Sequence, residues 1–183
     1  DVPKGTAVMR SGAQVGDVVG VTSYVGYAAT GLGALSYNLE GYHMTKVGHQ
    51  RPDPQIELGQ QLRQLGIHSM NDISDGLGSE LNEIASASNV SIVIEEKAIP
   101  LHEETYDLAK YLQTNPVDYA LYGGEDFQLV FTAPKSLLPK IENLAGITII
   151  GEVVSGPAQV QMVTPDKTIK TIEAKGYNHF HES

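Results

Sequence analysis

The chain contains no cysteine, which excludes disulfide staples and cysteinyl zinc sites and accords with a reducing cytoplasm. No apolar run approaches the ~18 residues that a membrane span requires, and no signal peptide opens the sequence. Basic residues are scarce: 12 Lys and Arg stand against 22 Asp and Glu, for a net charge of −10. That balance argues against nucleic acid as a partner, since such a surface wants a basic stripe. It also means that a bound phosphate needs a metal ion, a helix N-terminus or another domain to neutralise it. Two catalytic signatures are missing as well. No glycine-rich loop ends in Lys-Ser or Lys-Thr, and no Gly-x-Ser-x-Gly elbow occurs, so nucleophilic catalysis has no candidate.

What is present suits one well-buried domain: 183 residues, 41% hydrophobic and 19% charged, ordinary values for a globular protein. The chain opens Asp1-Val2-Pro3-Lys4-Gly5 rather than with methionine, and is read as a processed, truncated or excised piece. Residues 1–16 read as linker and turn. Asp17 to Thr22 is a buried-strand candidate, and a small-residue helix is expected over about Ala28 to Leu39, close-packed on a sheet. Gly31-Leu32-Gly33 is too little for a dinucleotide fingerprint. Asp53 as N-cap and Pro54 at the first helical position predict a helix to Leu65, closed by Gly66. Arg51, just before, reads as a surface arginine rather than a phosphate ligand.

Val90 to Glu95 predicts another strand. Pro100 to Leu112 predicts an amphipathic helix with Leu101, Thr105, Leu108 and Leu112 on one face, and Asn115-Pro116 starts a short helix to Tyr122. Phe127 to Thr132 is the clearest strand. A helix over Lys135 to Leu144, a strand over Ile147 to Val153 and a hairpin of Val160–Val163 with Thr168–Ile172 follow, turning at Thr164-Pro165-Asp166-Lys167. The hairpin breaks the strand–helix alternation, so the expected fold is α+β: a mixed β-sheet covered by helices.

One stretch stands out. Met70 to Ile73 predicts a short strand that turns directly into a helix ending near Ala87, with Leu77, Leu81, Ile84 and Ala85 on one face. Asp72, Ser74 and Asp75 therefore crowd a helix mouth beside Gly76. Ser and Asp are the preferred N-caps, and acids suit the positive end of the helix dipole. Capping needs only one such residue. Two acids a turn apart are also what Mg²⁺ takes, together with water and substrate phosphates. Both readings stand at this point.

A second turn, Gly123-Gly124-Glu125-Asp126, lies between a helix and the strongest strand. It reads either as a Schellman-type stop with both acids solvated, or as a device that aims them at a ligand. In the second case Glu125 accepts hydrogen bonds from a ligand amine. His43, His49, His68 and His102 are scattered, and His179 and His181 lack the neighbours of a zinc set.

Asp72-Ile73-Ser74-Asp75-Gly76-Leu77, Tyr122-Gly123-Gly124-Glu125-Asp126-Phe127, Gly176-Tyr177-Asn178-His179-Phe180 and Arg10-Ser11-Gly12-Ala13 with Gly16-Asp17 together resemble thiamine-monophosphate kinase. The likeness runs over essentially the whole chain and keeps motif order. It implies the C-terminal domain of the aminoimidazole ribonucleotide synthetase-like superfamily, with residues 1–5 a remnant of the interdomain linker and the N-terminal nucleotide- and metal-binding domain absent. It further implies transfer of the γ-phosphoryl of ATP to thiamine monophosphate, giving thiamine diphosphate, by a cytoplasmic, homodimeric complete enzyme. This piece is expected to be inactive by itself.

Residue by residue, the resemblance implies that Asp72 and Asp75 ligate Mg²⁺, and that Ser74 and Arg10 touch ATP. Glu125 would hold thiamine monophosphate and Tyr177 would face its rings, where relatives often carry Trp. Gly26-Tyr27-Ala28 departs from relatives that place Asp after the glycine. The chemistry is coherent: a phosphate acceptor is already largely deprotonated, so positioning and charge neutralisation matter more than a general base. Two other readings stay open: a sister phosphotransferase of the superfamily, and a noncatalytic ligand-binding module in which Asp72, Ser74 and Asp75 only cap a helix.

Overall fold

The computed structural model describes residues 5–174. Its centre is a seven-stranded mixed sheet in the order β2-β4-β1-β5-β3-β6-β7. The strands are β1 (Asp17–Thr22), β2 (Ser69–Asp72), β3 (Ser91–Glu95), β4 (Leu129–Pro134), β5 (Ile147–Val154), β6 (Gln159–Val163) and β7 (Ile169–Ile172). Neighbours run antiparallel except β3 and β6, which pair in parallel. The α+β expectation holds, with the hairpin of β6 and β7 closing one edge.

Helices α1 (Tyr27–Ser36), α2 (His43–Gln50), α3 (Ile56–Leu65), α4 (Leu77–Ser88), α5 (Glu103–Leu112), α6 (Pro116–Tyr122) and α7 (Leu138–Ile141) complete the fold. Strand alternation sorts the core into two clusters. Val19 and Val21 join Leu77, Leu81, Ile84 and Ala85 of α4 and Leu121 of α6, whereas Val18 joins Phe131, Leu62 of α3 and Ile141 of α7. The apolar stripe foreseen on α4 is fully buried. A bulge falls between Val19 and Gly20, and a Cβ at Gly20 would lie 2.4 Å from the Phe131 ring, so only glycine leaves room for that side chain.

Several boundaries differ from expectation. The helix opened by Asp53 and Pro54 instead begins at Ile56 with Gln55 as its cap residue, although Gly66 closes it in the left-handed region as expected. The helix before Gln113 starts at Glu103, where His102 Nδ1 accepts from the Glu104 N–H at 3.3 Å. Strand β4 starts two residues late, because Phe127 turns to φ 50°. The helix expected over Lys135 to Leu144 is a 3-10 turn followed by the short α7.

Helix α2 was not foreseen. It has no side-chain cap of its own; instead Glu104 on α5 accepts from the Thr45 N–H at 2.8 Å and the Met44 N–H at 3.2 Å. A cap supplied 59 residues away leaves no local signal. Nor does α1 spend its small residues on a sheet. A Cβ on Gly31 would lie 2.1 Å from the Thr45 carbonyl oxygen, and one on Gly48 2.5 Å from the Tyr27 ring. Gly31 lets α1 approach the backbone of α2, and Gly48 leaves room for the Tyr27 ring.

Candidate functional site

The elbow after β2 is built differently from a capped helix. Gly76 is the N-cap residue of α4, at φ 102°, and no side chain caps the helix. The expectation that Asp72, Ser74 or Asp75 serves as the cap therefore fails. The backbone crosses so close to its neighbour that a Gly76 Cβ would lie 2.7 Å from the Leu121 carbonyl oxygen. The carboxylates of Asp72 and Asp75 are exposed, and no hydrogen bond or ion pair holds either of them among the described residues.

What shapes the elbow is Glu80, one turn into α4 and only 2% exposed. Its carboxylate accepts from the Ser74 hydroxyl and the Asp75 N–H, both at 3.2 Å, and from the Asn71 amide. Burial pushes the Glu80 carboxyl above its ordinary pKa, the Asp75 N–H bond opposes this, and the charge of Glu83 adds to it. Asn71 also donates to Glu83 at 3.1 Å. Arg10 completes the network: Nη1 meets Glu83 at 2.8 Å, and Nε donates to Asn71 at 3.2 Å. Arg10 is thus anchored beneath the elbow with 56% of its side chain still exposed.

The second turn docks on the first. The Glu125 N–H donates to the Ser74 carbonyl at 2.8 Å, and the Phe127 N–H to Ile73 at 2.9 Å. The closeness excludes a side chain, since a Gly124 Cβ would lie 2.5 Å from the Ser74 oxygen. Glu125 and Phe127 both sit at positive φ, 65° and 50°, a conformation rare outside glycine. Strain of this kind persists where surrounding structure imposes it.

Asp126, between Glu125 and Phe127, is held from a distance. The Schellman reading with both acids solvated is wrong on each count: Gly123 is extended rather than left-handed, and Asp126 is 4% exposed. Only Glu125 is solvated. The Asp126 carboxylate reaches 100 residues back to accept from the Gly26 N–H at 2.5 Å, and also from the Ala28 N–H at 2.9 Å. It thereby caps α1, whose own cap residue, Gly26, offers no side chain. Burial pushes the Asp126 carboxyl up to about 6, against the backbone N–H donors that pull it down.

The two turns and α1 border a half-open cavity of about 230 Å³. Ser74 and Asp75 line it from the first turn, Gly124, Glu125 and Phe127 from the second, and Ala28, Ala29 and Leu32 from α1, with His49 at the end of α2. A second hollow of about 450 Å³ lies beyond Phe127, with Asp72, Arg63 and Ile56 in its wall. Asp72 and Asp75 therefore stand at the mouths of different cavities that share the Phe127 ring. Among the described residues no group of three or more His, Asp or Glu is arranged to hold a metal ion. Each free carboxylate is the kind of hard oxygen ligand that Mg²⁺ takes, an ion content with one or two acids plus water and phosphate oxygens.

The structure brings Asp75, Ser74 and Glu125 into one cavity, puts Asp72 in the wall of the second hollow, and ties Arg10 to Asn71 and Glu83. Tyr177 lies outside the described residues. Sequence reasoning missed the roles of Glu80, Asn71 and His49, and it named Asp126 within the second turn without the helix that it caps. An acid in the first turn after a Ser-containing elbow resembles a capping box, which could have drawn attention to Glu80. The glycine pair marked the turn that holds Asp126 but not its distant partners, and nothing local marks His49.

A mixed sheet with two interlocked glycine-acid turns defines a class. The family model for the AIR synthase related protein, C-terminal domain, matches residues 14–163, and the chain belongs to that family. Its particular likeness is to thiamine-monophosphate kinases. The enzyme of Bacillus subtilis (strain 168) is 37% identical over 191 residues, which cover 98% of this chain and 58% of that protein. The solved thiamine-monophosphate kinase from Stenotrophomonas maltophilia K279a superposes with a TM-score of 0.80 at 30% identity, over 88% of this chain and 54% of that one. AaThiL complexed with AMPPCP and TMP superposes with a TM-score of 0.78 at 34% identity, over 94% and 54%. The chain thus spans little more than half the length of these relatives. No helix among the described residues is long and apolar enough to cross a membrane.

Proposed function

We propose that this domain is the C-terminal half of an ATP- and Mg²⁺-dependent kinase that phosphorylates thiamine monophosphate to thiamine diphosphate, as a cytoplasmic homodimer when complete. The observation that carries the reading is the docking of the two acidic turns, Glu125 N–H on the Ser74 carbonyl at 2.8 Å. It puts Asp75, Ser74 and Glu125 around one cavity. The solved relative in complex with AMPPCP and TMP supports both ligands.

In this reading Asp72 and Asp75 hold Mg²⁺, which neutralises phosphate charge when bound. Neutralisation matters in a chain of net charge −10, where Arg10 is the basic group anchored at the elbow. Ser74 contacts the nucleotide, and Glu125, free and solvated, accepts hydrogen bonds from the acceptor substrate. Tyr177 supplies an aromatic face suited to a cationic ring. No side chain here is asked to act as a base: a phosphate oxygen attacks, so the residues position and neutralise.

The test is Asp75→Asn in the complete enzyme, followed by ADP release with thiamine monophosphate. Because the Asp75 carboxylate makes no hydrogen bond among the described residues, we expect thermal stability to hold while kcat falls at least ~100-fold, the scale of a lost charge-stabilising group. Undiminished turnover would remove the metal role, and failure of the wild type to turn over thiamine monophosphate would remove the kinase assignment.

A further inference from the structure

His49 stands in the wall of the small cavity, yet Nδ1 is buried without a hydrogen-bond partner, the one such buried side-chain atom among the described residues. Among the described residues no hydrogen bond is made by Nε2 either, so Nε2 is the polar atom left for solvent and the cavity. Buried N–H groups without partners are rarer than bare acceptors. In the neutral ring one nitrogen donates and the other accepts. The bare lone pair therefore belongs on Nδ1, and Nε2 carries the hydrogen.

The fold places this ring deliberately close. A Cβ on Gly31 would lie 2.9 Å from the His49 Cβ, so the glycine contact between α1 and α2 is what seats His49 against the cavity. Among the other walls are the Phe127 ring, Leu32 and the free carboxylate of Glu125. With Ser74 and Asp75 of the first turn assigned to the nucleotide and metal, these walls leave for the acceptor an apolar slot, the Glu125 carboxylate for an amino group and one N–H donor.

We propose that His49 is a ligand-binding residue of this cavity, donating from Nε2 to a ring nitrogen of an amino-substituted heteroaromatic ring whose amino group is taken by Glu125. The assignment rests on the reading of this cavity as the acceptor pocket, and it names the part of the acceptor that sits there. Flat aromatic ligands suit mostly apolar cavities with a few convergent polar groups. His49 serves specificity: an analogue without the ring nitrogen leaves the donor unpaired, the kind of mismatch that discriminates most strongly.

The test uses His49→Ala and His49→Gln in the complete enzyme, the Gln variant keeping a neutral N–H donor. We expect His49→Ala to raise KM for thiamine monophosphate ~10-fold, about the worth of one hydrogen bond. KM for MgATP should stay within ~2-fold, and His49→Gln should recover part of the loss. Independently of turnover, the 183-residue chain is titrated with 4-aminopyrimidine at millimolar concentration while the ¹⁵N signals of the histidine rings are followed. The His49 Nε2 signal should shift saturably, and His49→Ala should bind the probe at least ~10-fold more weakly. If the wild-type enzyme does not phosphorylate thiamine monophosphate, the kinase reading fails while the titration still decides His49. Unchanged acceptor KM with ring signals indifferent to the probe overturns the proposal. So does a His49→Ala variant that raises both KM values equally while melting earlier, since that is the behaviour of a packing residue. Should His49→Ala not fold, the KM values of His49→Gln and the titration of the wild-type chain decide between the same two outcomes.

Discussion

Replacing Asp126 by Asn tests whether a buried carboxylate joins the two turns to α1. Burial raises the folded-state pKa of Asp126 to about 6 from an ordinary 3.8. A raised carboxyl pKa means that the folded chain keeps a proton the unfolded chain has already released. The stabilisation from that proton is complete below pH 3.8 and is lost as pH rises through about 6. The gap between 3.8 and about 6, at ~1.4 kcal/mol per pH unit, comes to about 3 kcal/mol. Asn cannot ionise, so the variant lacks this dependence. It still offers one oxygen to the Gly26 or Ala28 N–H and loses the other bond, a constant penalty of about 1–3 kcal/mol. The unfolding free energy of the wild type should therefore fall relative to the variant by up to about 3 kcal/mol between pH 4 and 7. Urea titrations of both proteins across that range measure the difference, and other titrating groups cancel. The ¹³C shift of the Asp126 carboxyl gives its pKa directly. A difference flat within ~0.5 kcal/mol, or an Asp126 carboxyl titrating near 3.8, would refute the reasoning.

Gly31→Ala sets two effects against each other: Ala is the better helix former by ~1 kcal/mol, but its Cβ would sit 2.1 Å from a backbone oxygen of α2. Backbone cannot rotate away as a side chain can, so overpacking wins, and we expect a net loss of about 1–3 kcal/mol by urea unfolding. A stabilised variant would show that α1 and α2 are not held in contact. Glu80→Ala strips the acceptor from Asn71, Ser74 and the Asp75 N–H at once. The Asn71 donor is buried, and one left unpaired costs about 1–3 kcal/mol, so the variant should lose at least ~1 kcal/mol, and the complete enzyme should lose turnover with it. Wild-type stability in that variant would mean that the elbow holds its shape without Glu80.

The sequence alone determined the elements whose signals are local. Periodicity placed the buried stripe of α4, the Asn115-Pro116 pair started α6, and Gly66 ended α3, because helical spacing, caps and left-handed glycines act within a few residues. It also identified the two acidic turns, since several acids beside glycines at element ends exceed what capping requires. Tertiary structure decided the rest. Helix α2 is capped by Glu104 and the α1 N-terminus by Asp126, each a carboxylate returning from elsewhere in the chain. Asp126 and Glu125 are adjacent in the chain, yet one is buried and the other solvated, and His49 reaches the cavity only through glycine contacts between helices. The physical reason is reach: backbone geometry is written in neighbouring residues, whereas burial, and with it the state and partner of every polar group, depends on which distant segment closes over it.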